Sequence, residues 1–162
     1  MAALLNLNNP GTRATLSALD AAARASGIEI QRVEFQSIAD FDKAFRSAAL
    51  GGTRAVLVQD DPYAFAGRTQ IVELALRHHL PAVAGEPDIA EAGVLMVYGP
   101  NRIDLYRRAA AFVDKILKGT KPGDLPFEQP TKYDLVINLK TAKALGVTIA
   151  PSLLLRADRL IE

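Results

Sequence analysis

Cysteine and tryptophan are both absent from the 162 residues. Without cysteine there is no disulfide, no thiolate nucleophile and no cysteine-held metal, and thiol usage says nothing about compartment. Histidine occurs only as His78 and His79, with no third donor at metal-ligand spacing. Both fall where a helix should end, and the helix dipole favours cations there. An excess of one charge is missing too: 19 basic residues stand against 18 acidic ones, net +1, with no run of like sign. That excludes the basic stripe needed for nucleic acid or an anionic membrane surface. No window approaches eighteen apolar residues, so no membrane span is expected. The opening MAALLNLNNP lacks a basic n-region and a cleavage site. It does not read as a signal peptide, and a chain expressed as it stands is expected in the cytoplasm. G-x-S-x-G, H-E-x-x-H and P-loop patterns are all missing. No enzyme, cofactor or metal is therefore expected.

What remains is ordinary for a globular α/β protein: 49% apolar and 23% charged residues, enough for one well-buried core. Short apolar runs at Ala3–Leu7, Ile28–Phe35, Ala55–Val58, Leu80–Ala84 and Val94–Tyr98 read as strands. Segments with 3.6-residue periodicity follow them, from Pro10 to Ser26, Ser37 to Leu50, Gly67 to His79 and Asn101 to Lys118. Asn9 is a natural N-cap with Pro10 at the first helical position, and Gly27 a natural stop. On the longest helix Ile103, Tyr106, Ala110, Val113 and Leu117 form one apolar row expected to face the core. Five strand–helix alternations predict a doubly wound, mostly parallel sheet, because parallel neighbours need crossover connections.

In such sheets ligands bind beyond the carboxyl ends of the strands. That rule selects the loops Asn8–Thr12, Gln59–Tyr63, Gly85–Asp88 and Tyr98–Asn101. Asn8 and Asn9 either cap and turn the chain or lie beside helix N–H groups that hold an anion. Asp60 and Asp61 either meet a ligand cation or cap the helix begun at Pro62. Tyr63 and Tyr98 either stack on a ligand or pack at the rim. Glu86 either accepts a hydrogen bond from a ligand or is solvated. These seven residues form the candidate ligand site.

The stretch after the linker-like GTKPGDLP (Gly119–Pro126) begins another strand–helix unit with no obvious place in the sheet. Tyr133–Asn138 reads as a strand, Leu139–Leu145 as a helix stopped by Gly146, and Pro151 opens a further turn. The chain is thus expected to divide into an α/β body, residues 1–126, and a strand–helix tail, residues 127–162.

The segments NLNNP, QDDPYAF, LPAVAGEPDIAEAGVLMVYGPN, YRRAAAFVDKILKGTKPGDLPFEQPTK and VINLKTAKALGVTIAPSLL resemble the second lobe of ABC-transporter substrate-binding proteins. The subfamily is the one related to tryptophan- and tyrosine-binding lipoproteins. The resemblance covers nearly the whole chain. It implies a periplasmic-binding-protein-like (type I) lobe that takes a small solute, an amino acid or similar, without catalysis. It also implies delivery to an ABC permease in a periplasmic or extracytoplasmic setting. Relatives often carry Thr-Asp-Asn in the turn after the third strand, where the acid can hold a ligand ammonium. Here Asp61 matches the acid and Pro62 replaces the amide. Glu86 stands where relatives often have Asp, and Tyr98-Gly99 matches their Tyr-Gly loop.

Such proteins also have an export signal and a first lobe, and the tail is expected to dock on that lobe or on a partner chain. Two copies exchanging residues 128–162 would give a homodimer. The alternatives are therefore a self-associating half-protein without ligand or a small-molecule sensor domain. A receiver domain would need paired acids after the first strand, where Asn8 and Asn9 stand. A flavodoxin-like enzyme would need a glycine spacing that Asn8-Asn9-Pro10-Gly11 lacks.

Overall fold

The computed structural model describes all 162 residues. The apolar runs become strands β1 (Ala2–Leu5), β2 (Gln31–Glu34), β3 (Val56–Val58), β4 (Ala82–Ala84) and β5 (Met96–Pro100). Between and after them lie helices α1 (Pro10–Ala25), α2 (Phe41–Leu50), α3 (Pro62–Ala66), α4 (Arg68–Arg77) and α5 (Arg102–Leu117). β4 and β5 are joined by a 3-10 segment, Pro87–Ala92. The final third adds β6 (Tyr133–Asn138), α6 (Leu139–Ala144), α7 (Pro151–Leu154) and a short edge strand β7 (Arg159–Ile161).

All seven strands belong to one sheet in the order β2-β1-β3-β4-β5-β6-β7. The first five are parallel, β6 runs antiparallel to β5, and β7 is parallel to β6. β2 lies on one side of β1 and β3 on the other. Right-handed crossovers then require α1 and α2 on opposite faces of the sheet, and the carboxyl ends of β1 and β3 flank the switch point.

The main core fills one face. Ala2, Leu4, Val33, Val56, Val58, Ala82, Ala84 and Val97 from the strands meet Phe41, Ala44, Phe45 and Ala48 of α2 and Ile71, Leu74 and Ala75 of α4. Phe35 and Phe41 pack edge to face, with ring centroids 5.1 Å apart.

Three differences from the sequence reading have physical causes. Asp61 caps a helix starting at Pro62, so the stretch read only as a turn is α3. The row Ile103, Tyr106, Val113 and Leu117 faces solvent rather than the core. Leu105 and Phe112, on the neighbouring face of α5, are the half-buried residues instead.

Finally, the tail has a place in the sheet. Leu135, Val136, Ile137 and Asn138 are all buried, and β6 pairs with β5 over five residues, Val97 opposite Val136. The Asn138 side chain caps α6, accepting from Thr141 N at 3.0 Å. The Thr141 hydroxyl donates to the Gly93 carbonyl at 2.7 Å. The division expected at residue 126 therefore falls inside one continuous sheet. The strand exchange expected between two copies loses its motive, because β6 finds its partner strand within the chain.

Candidate functional site

The loops after β1 and β3 are tied together by one carboxylate. Asp61, only 7% exposed, accepts from Asn6 Nδ2 at 3.0 Å and from Asn9 Nδ2 at 2.8 Å on one oxygen. Its other oxygen accepts from Tyr63 N at 2.8 Å and so caps α3. Asn9 in turn caps α1, its side-chain oxygen accepting from Gly11 N at 2.9 Å. Asn8 is exposed, and its N–H donates to Asn6 Oδ1 at 3.1 Å. The switch point between β1 and β3 is thus laced shut by Asn6, Asn9 and Asp61.

Space opens one strand further along. A cavity of about 350 Å³ lies at the carboxyl ends of β3 and β4, lined by Asp60, Asp61, Pro62, Phe65, Glu86 and Ile89. Phe65 and Ile89 give it an apolar wall, and the other side carries three carboxylates. Their states differ. Asp61 is saturated by neutral donors. Glu86 accepts from Asp88 N, capping the 3-10 segment, and from Arg102 Nη1 at 2.8 Å.

Asp60 has no hydrogen-bond donor from the protein. Asp60 is itself exposed; partial desolvation at the cavity wall, with the nearby Glu86 charge adding to it, raises its carboxyl above the ordinary 3.8. Both oxygens lie against Gly85, where an added Cβ would meet them at 3.1 and 3.2 Å.

Arg102 sits in the first turn of α5, where a cation opposes the helix dipole. It is held there by Glu86 and by Asp88, whose carboxylate is 2.6 Å away. Those two charges, Glu86 first, raise its pKa above the ordinary arginine value. The acidic wall is therefore neutralised at Glu86 and left uncompensated at Asp60.

Among the seven residues selected from the sequence, the structure brings Asp60, Asp61 and Glu86 to one cavity. The other four do not line it. Asn8 and Asn9 shape the α1 entrance. Tyr63 is exposed and enters the network through its backbone N–H. Tyr98 is exposed and stacks on Tyr133 across the β5–β6 pair, ring centroids 5.5 Å apart. The end of the Tyr98–Asn101 loop is fixed structurally: Asn101 caps α5 and donates to both carboxylate oxygens of Asp134, at 3.0 and 2.8 Å.

Sequence reading missed Phe65 and Ile89, which look like core residues in any helical pattern. It also missed Asn6, the buried partner of Asp61. Arg102 did carry a signal, since arginine at a helix N-terminus needs an acidic neighbour to be comfortable.

A sheet of this order with an open cavity at its strand ends is a doubly wound α/β fold with its cavity where that fold class binds ligands. The chain belongs to the ABC transporter substrate binding protein family, whose model matches residues 3–161. Three solved structures share the fold. A conserved domain protein from Vibrio cholerae O1 biovar El Tor strain N16961 superposes with a TM-score of 0.89 at 23% identity, over 98% of this chain and 53% of its own. An ABC domain from Streptococcus pneumonia, in complex with L-Trp, gives 0.88 at 23% identity, over 99% and 54%. A ligand-free, open substrate binding protein with adhesive properties from Clostridium difficile gives 0.76 at 19% identity, over 99% and 53%. The chain thus spans about half the length of these relatives. No curated protein matches it.

Proposed function

We propose that the chain is one wall of a solute-binding cleft of an ABC transport system, and that the solute carries a cationic group seated on Asp60. One observation carries this reading: a strand-end cavity whose acidic wall has one carboxylate, Asp60, without a protein donor or a counter-ion. An ammonium there offsets the partial desolvation and the Glu86 charge, since an opposite charge within hydrogen-bond reach favours the ionised acid. Phe65 and Ile89 offer apolar contact for the remainder of the ligand, in keeping with the mostly apolar character of small-molecule sites.

Family membership supports a binding role without chemistry, and with it delivery of the solute to a membrane permease outside the cytoplasm. No helix of the chain is long and apolar enough to cross a membrane. The L-Trp held by the streptococcal relative supports an amine-bearing ligand with an aromatic or aliphatic body.

The test compares solutes that share one ring system and differ in charge. In a thermal-shift series, tryptamine and L-tryptophan are expected to stabilise the protein, while indole-3-propionate is not. Equal shifts from all three would remove charge as the selecting feature. A shift from indole-3-propionate alone would reverse the proposal.

Asp60 also makes a prediction without ligand. Its folded pKa lies above the unfolded value, so the folded state binds more protons in that window. Stability then falls as pH rises from about 3.8 through the raised value and is level above it. Asp60→Asn removes the penalty. Because Asp60 is exposed, solvent screening keeps the gain small: the variant is expected to melt slightly above the wild type at pH 7, with the gap closing below pH 3.8. Denaturation scans from pH 3 to 8 check the sign; a variant that melts lower at pH 7 contradicts it.

A further inference from the structure

Arg102 stands at the first position of α5, where the positive end of the helix dipole disfavours a cation. Its Nη1 donates to Glu86 at 2.8 Å and to Asp88 at 2.6 Å, so one nitrogen serves both carboxylates. Glu86 lines the cavity, whereas Asp88 and Arg102 do not. Arg102 therefore acts on the cavity through Glu86. It is the one cation of the chain within ion-pair distance of any of the three wall carboxylates. Arg68, the other guanidinium against a wall residue, lies 4.7 Å from the centroid of the Phe65 ring and donates to the Phe65 carbonyl instead.

We propose that Arg102 is a specificity-determining residue: by holding Glu86 it limits the cavity to solutes with a single cationic group and selects against diamines. The inference rests on the cation seat at Asp60 proposed above and adds the substrate class that the seat admits.

The three carboxylates offer a ligand different things. Asp61 is engaged by Asn6, Asn9 and the Tyr63 N–H. Asp60 is open. Glu86 lies close enough to Asp60 for its charge to be felt there, and Arg102 already pairs it. A second ammonium entering the cavity gives up water and meets the apolar wall of Phe65 and Ile89 or an acid that is taken, and a desolvated charge without a partner is costly. With Arg102 removed, Glu86 becomes a second open seat on the same wall, and a flexible diamine can engage both acids. The pairing uses one nitrogen rather than the planar fork that distinguishes arginine, so the point charge of a lysine suffices there.

Calorimetric titration with hexylamine and 1,6-diaminohexane tests this, because the pair differs in the second amine and the flexible chain adapts to the separation of the two acids. The wild type is expected to bind hexylamine the more tightly. In Arg102→Gln the affinity for the diamine relative to the monoamine is expected to rise about fivefold, the size of one partly exposed ion pair. Arg102→Lys is expected to keep the wild-type ratio, and Arg102→Gln combined with Glu86→Gln to restore it. The Arg102 and Glu86 side chains are 40% and 25% exposed, and an unchanged circular dichroism spectrum checks that each variant folds. A role confined to tying α5 to the 3-10 segment would change both amines alike. An unchanged ratio in Arg102→Gln therefore overturns the proposal. So does a gain that survives Glu86→Gln, or a wild type that already prefers the diamine. Failure of the underlying seat reads differently: a wild type that binds neither hexylamine nor tryptamine removes the cation site at Asp60, and this inference with it.

Discussion

Asp61→Ala is expected to destabilise the protein by about 3 kcal/mol, although it removes no apolar contact. Three donors converge on this carboxylate, from Asn6, Asn9 and Tyr63. A hydrogen bond to a charged group contributes roughly 1.5–3 kcal/mol, and a buried donor stripped of its acceptor costs about 1–3 kcal/mol. Asn6 is the donor at risk, because it is buried and cannot turn to water. The loss also uncaps α3, for which about 1 kcal/mol is typical. These contributions overlap, so about 3 kcal/mol is the expected total rather than their sum. For a chain of this size the midpoint should fall by about 10 °C. Asp61→Asn keeps one acceptor and should recover about half. Urea denaturation of the three proteins measures both steps. A loss under 1 kcal/mol in the alanine variant would mean that the β1 and β3 loops are held by something other than this carboxylate.

Gly99→Ala is the second large effect, and it acts through the backbone. A Cβ at position 99 would stand 1.8 Å from the Gly85 carbonyl oxygen and 3.2 Å from Pro87 Cδ. The obstacle is main chain, which no rotamer change can clear. The carboxyl ends of β4 and β5 must separate, and overpacking of that kind costs about 3 kcal/mol or somewhat more. The displaced strand end carries Gly85 and Glu86, so the cavity wall moves with it. Gly99→Ala is therefore expected both to lower the melting point and to abolish the shift given by tryptamine. Gly123→Ala is the control: nothing lies within 4 Å of a Cβ there, and the change should be close to neutral in both assays.

These two residues also show where the sequence is informative about the site. Asp61 before Pro62 announces a cap from its residue types alone, and the structure uses it so. That the same carboxylate bridges to Asn6 and Asn9 depends on β1 and β3 being neighbours, which no local pattern encodes. Gly99 looks like any loop glycine until the β4–β5 pairing sets it against Gly85.

The parallel body is legible because its crossover helices carry their own start and stop signals, as Asn9-Pro10 and Gly27 do for α1. Tyr133–Asn138 reads as a strand without a neighbour, because periodicity gives an element its type and not its place in the sheet. Its antiparallel pairing with β5 is a non-local fact. The outward turn of Ile103, Tyr106, Val113 and Leu117 has a similar origin. An apolar row on a helix signals burial against something, and whether that something belongs to the same chain is decided elsewhere in the molecule.

The central claim is that a cationic solute sits on Asp60 in the cavity between β3 and β4. Nuclear magnetic resonance titration of the isotopically labelled chain with tryptamine tests it most directly. The account predicts saturable shifts confined to the amides of Asp60, Tyr63, Phe65, Gly85, Glu86 and Ile89, and their loss in Asp60→Asn. Shifts centred instead on Asn8 to Thr12 at the start of α1, or undiminished in Asp60→Asn, would contradict it.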